Sequence, residues 1–185
     1  LIKTPVNEYT MNKAGAELGR WMIQRAARLA RDVGFSYEPA GDAPETYEAV
    51  LAAVRRSQCE RVPFPVWAGG SDATIYGSAE ANYAFRYWHD MAHIASTGDF
   101  TVAGELAAVR MQLTELARTF GTDSIEYALF VADTLGQVWF HERTEGGFVQ
   151  DQKSWVFAVV QAHADTHRGD LQGLEAHFLE GLRSS

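Results

Sequence analysis

The stretch running from Asn82 through Arg86, His89 and Asp90 to His93 and Ile94 limits the fold of this chain more than any other. Read as a helix, it sets Asn82, Arg86, His89 and His93 at steps of four, three and four, on one face. Asp90 stands beside them, a turn after Arg86. Tyr83, Phe85, Tyr87, Trp88, Met91 and Ile94 occupy the rest of the cylinder. A helix that is apolar on most sides belongs in an interior, and its buried His, Asp and Arg then need partners. The chain must therefore surround this segment with other elements that carry matching polar groups.

The sequence on either side supplies helices. A helix is expected from Asn12 to Val33 after an extended lead-in over 1–11, with Leu18, Trp21, Met22, Ala26 and Leu29 as its stripe and Gly34 as its stop. Gly15 and Gly19, four apart, leave room for another backbone, and Arg20, Arg25, Arg28 and Arg31 read as a solvated face. A second helix is expected to start around Asp42–Pro44 and end near Gln58. Residues 61–72, with Pro63, Pro65, Gly69 and Gly70, read as a long ordered loop that feeds the central helix and forms either a connector or a wall of a site. A short extended piece is expected at Ala73–Tyr76. Beyond the central helix, Asp99, Ser124 or Asp123, and Asp151 read as caps of helices ending near Phe120, His141 and His167, and a last helix ends near Leu182. The expected fold is all-α, a single domain over 1–185 made of six or seven helices.

Composition narrows the function classes. Of 185 residues, 46% are hydrophobic and 22% charged, as in ordinary globular proteins. A net charge of −8 argues against duplex nucleic acid as a partner. Cys59 is the only cysteine, so neither a disulfide nor a thiolate zinc site forms within one chain, which fits a reducing compartment. No apolar run approaches the ~20 residues needed to cross a bilayer, and no secretory signal opens the sequence, so the expected location is the cytoplasm. Homo-oligomerisation and a leader removed before Leu1 stay open.

The chemistry concentrates in three places. His89 and His93 stand one helical turn apart, the spacing at which two imidazoles grip one metal ion. The helix from Ser124 to His141 carries Glu126, Asp133, Gln137 and His141 as a second polar stripe in apolar surroundings, and facing polar stripes are how helical bundles build metal sites. Glu105 opens the intervening helix, which an antiparallel turn at Ser96–Asp99 would bring back towards the histidines. The expected ligands are His89, His93, Glu105 and Asp133, with Asp90, His141 and Arg86 as catalytic groups. Imidazole and carboxylate donors suit Mn, Fe or Zn. His163 and His167 repeat the i, i+4 spacing among polar neighbours and read as surface, as does His177. Trp67, Tyr76, Trp88 and Trp139 either line a pocket for a planar ligand or pack the core.

The His89-Asp90 doublet in an all-helical chain resembles the HD superfamily of metal-dependent phosphohydrolases. By that resemblance His89 and Asp90 match the doublet and Asp133 the later Asp on another helix; the family's additional upstream His has no counterpart here. The resemblance implies hydrolysis of a phosphorylated small molecule such as a nucleotide, with Arg86 on a phosphate oxygen. His89-Asp90-x-x-His93 also looks like the zincin His-Glu-x-x-His with Asp in the base position and Glu105 as third ligand. Two further readings are a mononuclear non-haem iron oxidoreductase using His89, His93 and Glu105 or Asp133, and a non-enzymatic helical interaction protein with a buried His/Asp/Glu network.

Overall fold

The computed structural model describes residues 4–71, 73–144, 147 and 149–183. Among them are seven helices: α1 (Glu8–Val33), α2 (Tyr47–Glu60), α3 (Ala79–Ser96), α4 (Val102–Phe120), α5 (Ile125–Arg143), α6 (Gln152–Thr166) and α7 (Leu174–Arg183). The all-α expectation holds, with one addition. Strands β1 (Tyr37–Ala40) and β2 (Phe64–Trp67) form a two-stranded parallel sheet in the register Tyr37 to Phe64. α2 is the crossover between them. A third of the expected loop at 61–72 is therefore strand, and both strands contain a proline, Pro39 and Pro65, which only an edge position tolerates.

Local side chains explain the remaining boundary corrections. α1 starts at Glu8, inside the expected lead-in, because Asn7 and Thr10 form a reciprocal capping box at 3.0 Å in each direction. α2 starts at Tyr47, after Pro44, because the Thr46 hydroxyl accepts from the Ala49 amide. α4 is capped by Thr101, while Asp99, two residues earlier, accepts from the Thr101 amide. Ala73–Tyr76, expected as extended, forms turns. Ser124 and Asp151 cap α5 and α6 as expected.

α3 lies in the interior against α1, α4 and both strands, and α5 packs against α1, α4, α6 and α7. One apolar cluster joins them, with Leu18, Met22, Tyr87, Leu116 and Phe130 fully enclosed. The room anticipated at Gly15 and Gly19 is used: a Cβ there would stand 2.1 Å from the Ile75 carbonyl oxygen and 2.2 Å from that of Tyr76. The turn before α3 thus lies directly on α1 and delivers Tyr76 to α5. Of the four arginines on α1, Arg25 departs from the expected solvated face. Its guanidinium makes a two-point ion pair with Glu115 of α4, at 2.5 and 3.0 Å. No helix among the described residues is long and apolar enough to cross a membrane.

Candidate metal centre

The centre is built on α3. Ser78 caps that helix, accepting from the Ala81 amide, and fixes where its first turn begins. The 3.6-residue period then turns Asn82, Arg86, His89 and His93 towards a cavity of about 800 Å³. Thr97, in the left-handed conformation, ends the helix and folds the chain into the turn to α4. Gly104 makes that turn tight, since a Cβ on it would meet the Asp99 carbonyl oxygen at 1.9 Å. The adjacent Glu105 carboxylate is thereby brought to the two histidines.

Among the described residues, His89, His93 and Glu105 form a group whose ligand atoms all lie within 4.8 Å of one another. The two Nε2 atoms are 3.2 Å apart. Glu105 Oε2 is 3.2 Å from His89 Nε2, and Oε1 is 3.4 Å from His93 Nε2. A cation about 2.0–2.2 Å from each donor needs donors roughly 3.0–3.5 Å apart; the two histidines meet that spacing with each other and each with a different oxygen of Glu105, so the group could hold one divalent ion. The outer nitrogens are held as well. His93 Nδ1 donates to the Gly98 carbonyl at 2.9 Å, and His89 Nδ1 donates to Gln112 Oε1 at 3.0 Å. With both Nδ1 atoms protonated, the Nε2 lone pairs are left to face each other and the carboxylate.

Two neutral imidazoles do not hold lone pairs at that distance without a positive charge between them. Burial alone would lower the His89 pKa, but the Glu105 hydrogen bond and charge outweigh it and raise it to about 9. Burial likewise pushes the Glu105 carboxyl up, but hydrogen bonds and charge from His89 and His93 hold it well below the usual carboxylate range. The cluster is therefore arranged to receive a cation, whether a proton or a metal ion.

The other expected site residues fall into two sets. Asp90, Arg86 and His141 line the cavity but lie outside the three-residue group. Burial raises the Asp90 carboxyl to about 6, against the lowering charges of His89 and His93. Arg86 donates to the Trp67 carbonyl and, at 3.3 Å, to Ser71 Oγ, and its guanidinium lies over the Trp67 ring. Asp133, expected as a ligand, is engaged elsewhere: it accepts from the Tyr76 hydroxyl at 2.5 Å and lines the cavity from α5. Burial raises it to about 6, against the Tyr76 hydrogen bond and the charges of Arg86 and His89. Glu126 does not reach the cavity; Asp133, Gln137 and His141 do.

The wall expected from 61–72 is supplied by Trp67, and Asp72 lies outside the described residues. The remaining aromatic candidates do not line the cavity. Tyr76 and Trp88 are core, and Trp139 packs on Phe178 and Arg143. His163 does not line the cavity and donates through Nε2 to the Gln172 carbonyl at 3.1 Å, and His167 and His177 are exposed. Gln112 escaped the sequence reading. Its signal was present, since it follows Glu105 by seven residues on the same helix face, next to Ala108, Val109 and Leu113. No family model, no curated protein and no solved structure matches this chain.

Proposed function

We propose that this protein is a divalent-metal enzyme whose His89, His93 and Glu105 hold the ion at the edge of the cavity, and that it hydrolyses a small molecule bound there. The observation that carries the reading is the convergence of two Nε2 atoms and one carboxylate at 3.2–3.4 Å, with both Nδ1 atoms held from behind. Three protein ligands leave coordination positions open, and an ion so held polarises a substrate oxygen and acidifies water towards neutrality. Asp90 lines the same cavity and is placed to take a proton, with its carboxylate as general base.

The phosphorylated substrate implied by the HD resemblance has Arg86 in its favour. The described lining also carries Glu45, Asp90, Glu105, Asp133 and Glu142. Even with a divalent ion bound, that balance favours a neutral substrate over a phosphate. Iron-dependent oxidation is the second reading. It is favoured by the two-histidine, one-carboxylate set opening onto a cavity whose wall includes Phe85, Phe100, Val109 and Val138.

Elemental analysis of protein purified without chelator or affinity-tag metal, beside His89→Ala, tests the centre. The expected result is near-stoichiometric zinc, manganese or iron in the wild type, lost in the variant. Wild-type protein that takes up none of these ions, even when each is added back, overturns the proposal. Iron with substrate-dependent oxygen consumption, and no hydrolysis, selects the second reading.

A further inference from the structure

Across the cavity from the metal ligands, one side chain has no partner. Gln137 is 7% exposed and lines the cavity from α5. Its Oε1 and Nε2 are enclosed and have no hydrogen-bond partner among the described residues, so a ligand in the cavity meets them once the side chain turns towards it. An enclosed amide with both ends unsatisfied is costly, and such groups in folded proteins normally meet a ligand or ordered water. One turn earlier is Asp133, and one turn later His141, both lining the same cavity. The neighbouring Thr134 does not satisfy Gln137, because its hydroxyl donates to the Phe130 carbonyl at 2.7 Å.

We infer that Gln137 is the recognition group for a substrate bearing an adjacent N–H and C=O on one edge, as in a carboxamide, a lactam or a pyrimidine. The argument is one of complementarity. A glutamine amide offers an acceptor and a donor side by side, and an amide edge returns a donor and an acceptor in register. A carboxylate or phosphate returns only acceptors, and an amidinium or ammonium only donors. The acidic lining adds a second discrimination, since Asp90, Asp133, Glu45 and Glu142 repel an anion. Asp133 is placed to accept from a further N–H of the ligand. A site built around a hydrogen-bonding group rejects analogues that lack the matching atoms more strongly than an apolar pocket rejects a change in size.

This inference deepens the proposed function by giving its substrate class, yet the group that carries it stands on α5 and not among the metal ligands. The two can therefore be tested apart. Benzamide, uracil, benzoate and benzamidine are planar probes that carry the amide edge in open form, the amide edge in a ring, only acceptors and only donors. Each is titrated by NMR chemical-shift perturbation into metal-loaded wild type, metal-stripped wild type and metal-loaded Gln137→Leu. Benzamide or uracil should saturate both wild-type forms at concentrations at least tenfold below benzoate and benzamidine, and Gln137→Leu should lose that tenfold preference. An open-chain preference points to a carboxamide, and a ring preference to a lactam or pyrimidine. The inference is overturned if neither amide probe binds, which leaves ordered water as the partner of Gln137. It is equally overturned if all four probes bind alike, or if Gln137→Leu binds as the wild type does. Amide binding without metal uptake would remove the proposed enzyme while the subsite stood. Metal uptake without amide binding would do the reverse.

Discussion

Helices α3 and α4 face α5 across one cavity, and the two sides hold their polar groups differently. On the α3–α4 side each imidazole is bonded at both nitrogens, to Gly98 or Gln112 behind and to the Glu105 carboxylate in front. On the α5 side Asp133 is tied to Tyr76, and the Gln137 amide has no partner among the described residues. The carboxyls diverge in the same way, Glu105 held low by its histidines and Asp133 pushed up by burial. A rigid group of donors suits a spherical ion, which asks only for distance and charge. An unsatisfied wall suits a molecule that brings its own hydrogen-bonding pattern.

The largest test of this contrast is the pH dependence of stability in metal-stripped protein. The folded-state pKa of Asp133, about 6, lies above its ordinary 3.8. The folded protein then binds the proton more tightly, so this group makes stability fall as pH rises from about 4 to 6. Glu105 is shifted down, so its contribution is present above its ordinary 4.5 and is lost as pH falls through its lower folded value. Asp133→Asn should flatten the decline between pH 4 and 6 and raise stability at pH 7 by on the order of 1–3 kcal/mol. Glu105→Gln should lower stability at pH 7. Urea unfolding across that range checks both signs, and two variants moving in the same direction would erase the distinction.

Gln112→Leu should come next in size. It leaves the three ligands in place and removes the acceptor behind His89, so metal affinity should fall by about 10–100-fold while the fold persists. Competition with a chromophoric chelator reads this directly, and unchanged affinity would show that Gln112 does not orient the ring. Gln137→Leu should have the smallest effect and the opposite character. Replacing an unpaired buried amide by an apolar side chain of similar size should leave stability unchanged or raise it by up to about 1 kcal/mol. A clear fall in melting temperature would mean that Gln137 is already satisfied in the free protein.

The sequence alone carried most of what a single helix determines, the start of α1 and the place of Gln112 on α4 excepted. The steps between Asn82, Arg86, His89 and His93 put them on one face because the helical period leaves no alternative, and the two glycines of α1 announced the close backbone contact that Ile75 and Tyr76 make. The helix count and the caps at Ser124 and Asp151 were legible for the same local reason. What spacing could not decide was which distant group meets which. Glu105 and Asp133 were equal candidates on paper, and Gln112 and the strands β1 and β2 passed unnoticed. The tight turn over Thr97–Gly104 gives Glu105 to the histidines, and the turn lying on α1 gives Tyr76 to Asp133. Those pairings depend on how helices pack across tens of residues of chain, and a distance between helices has no period to read.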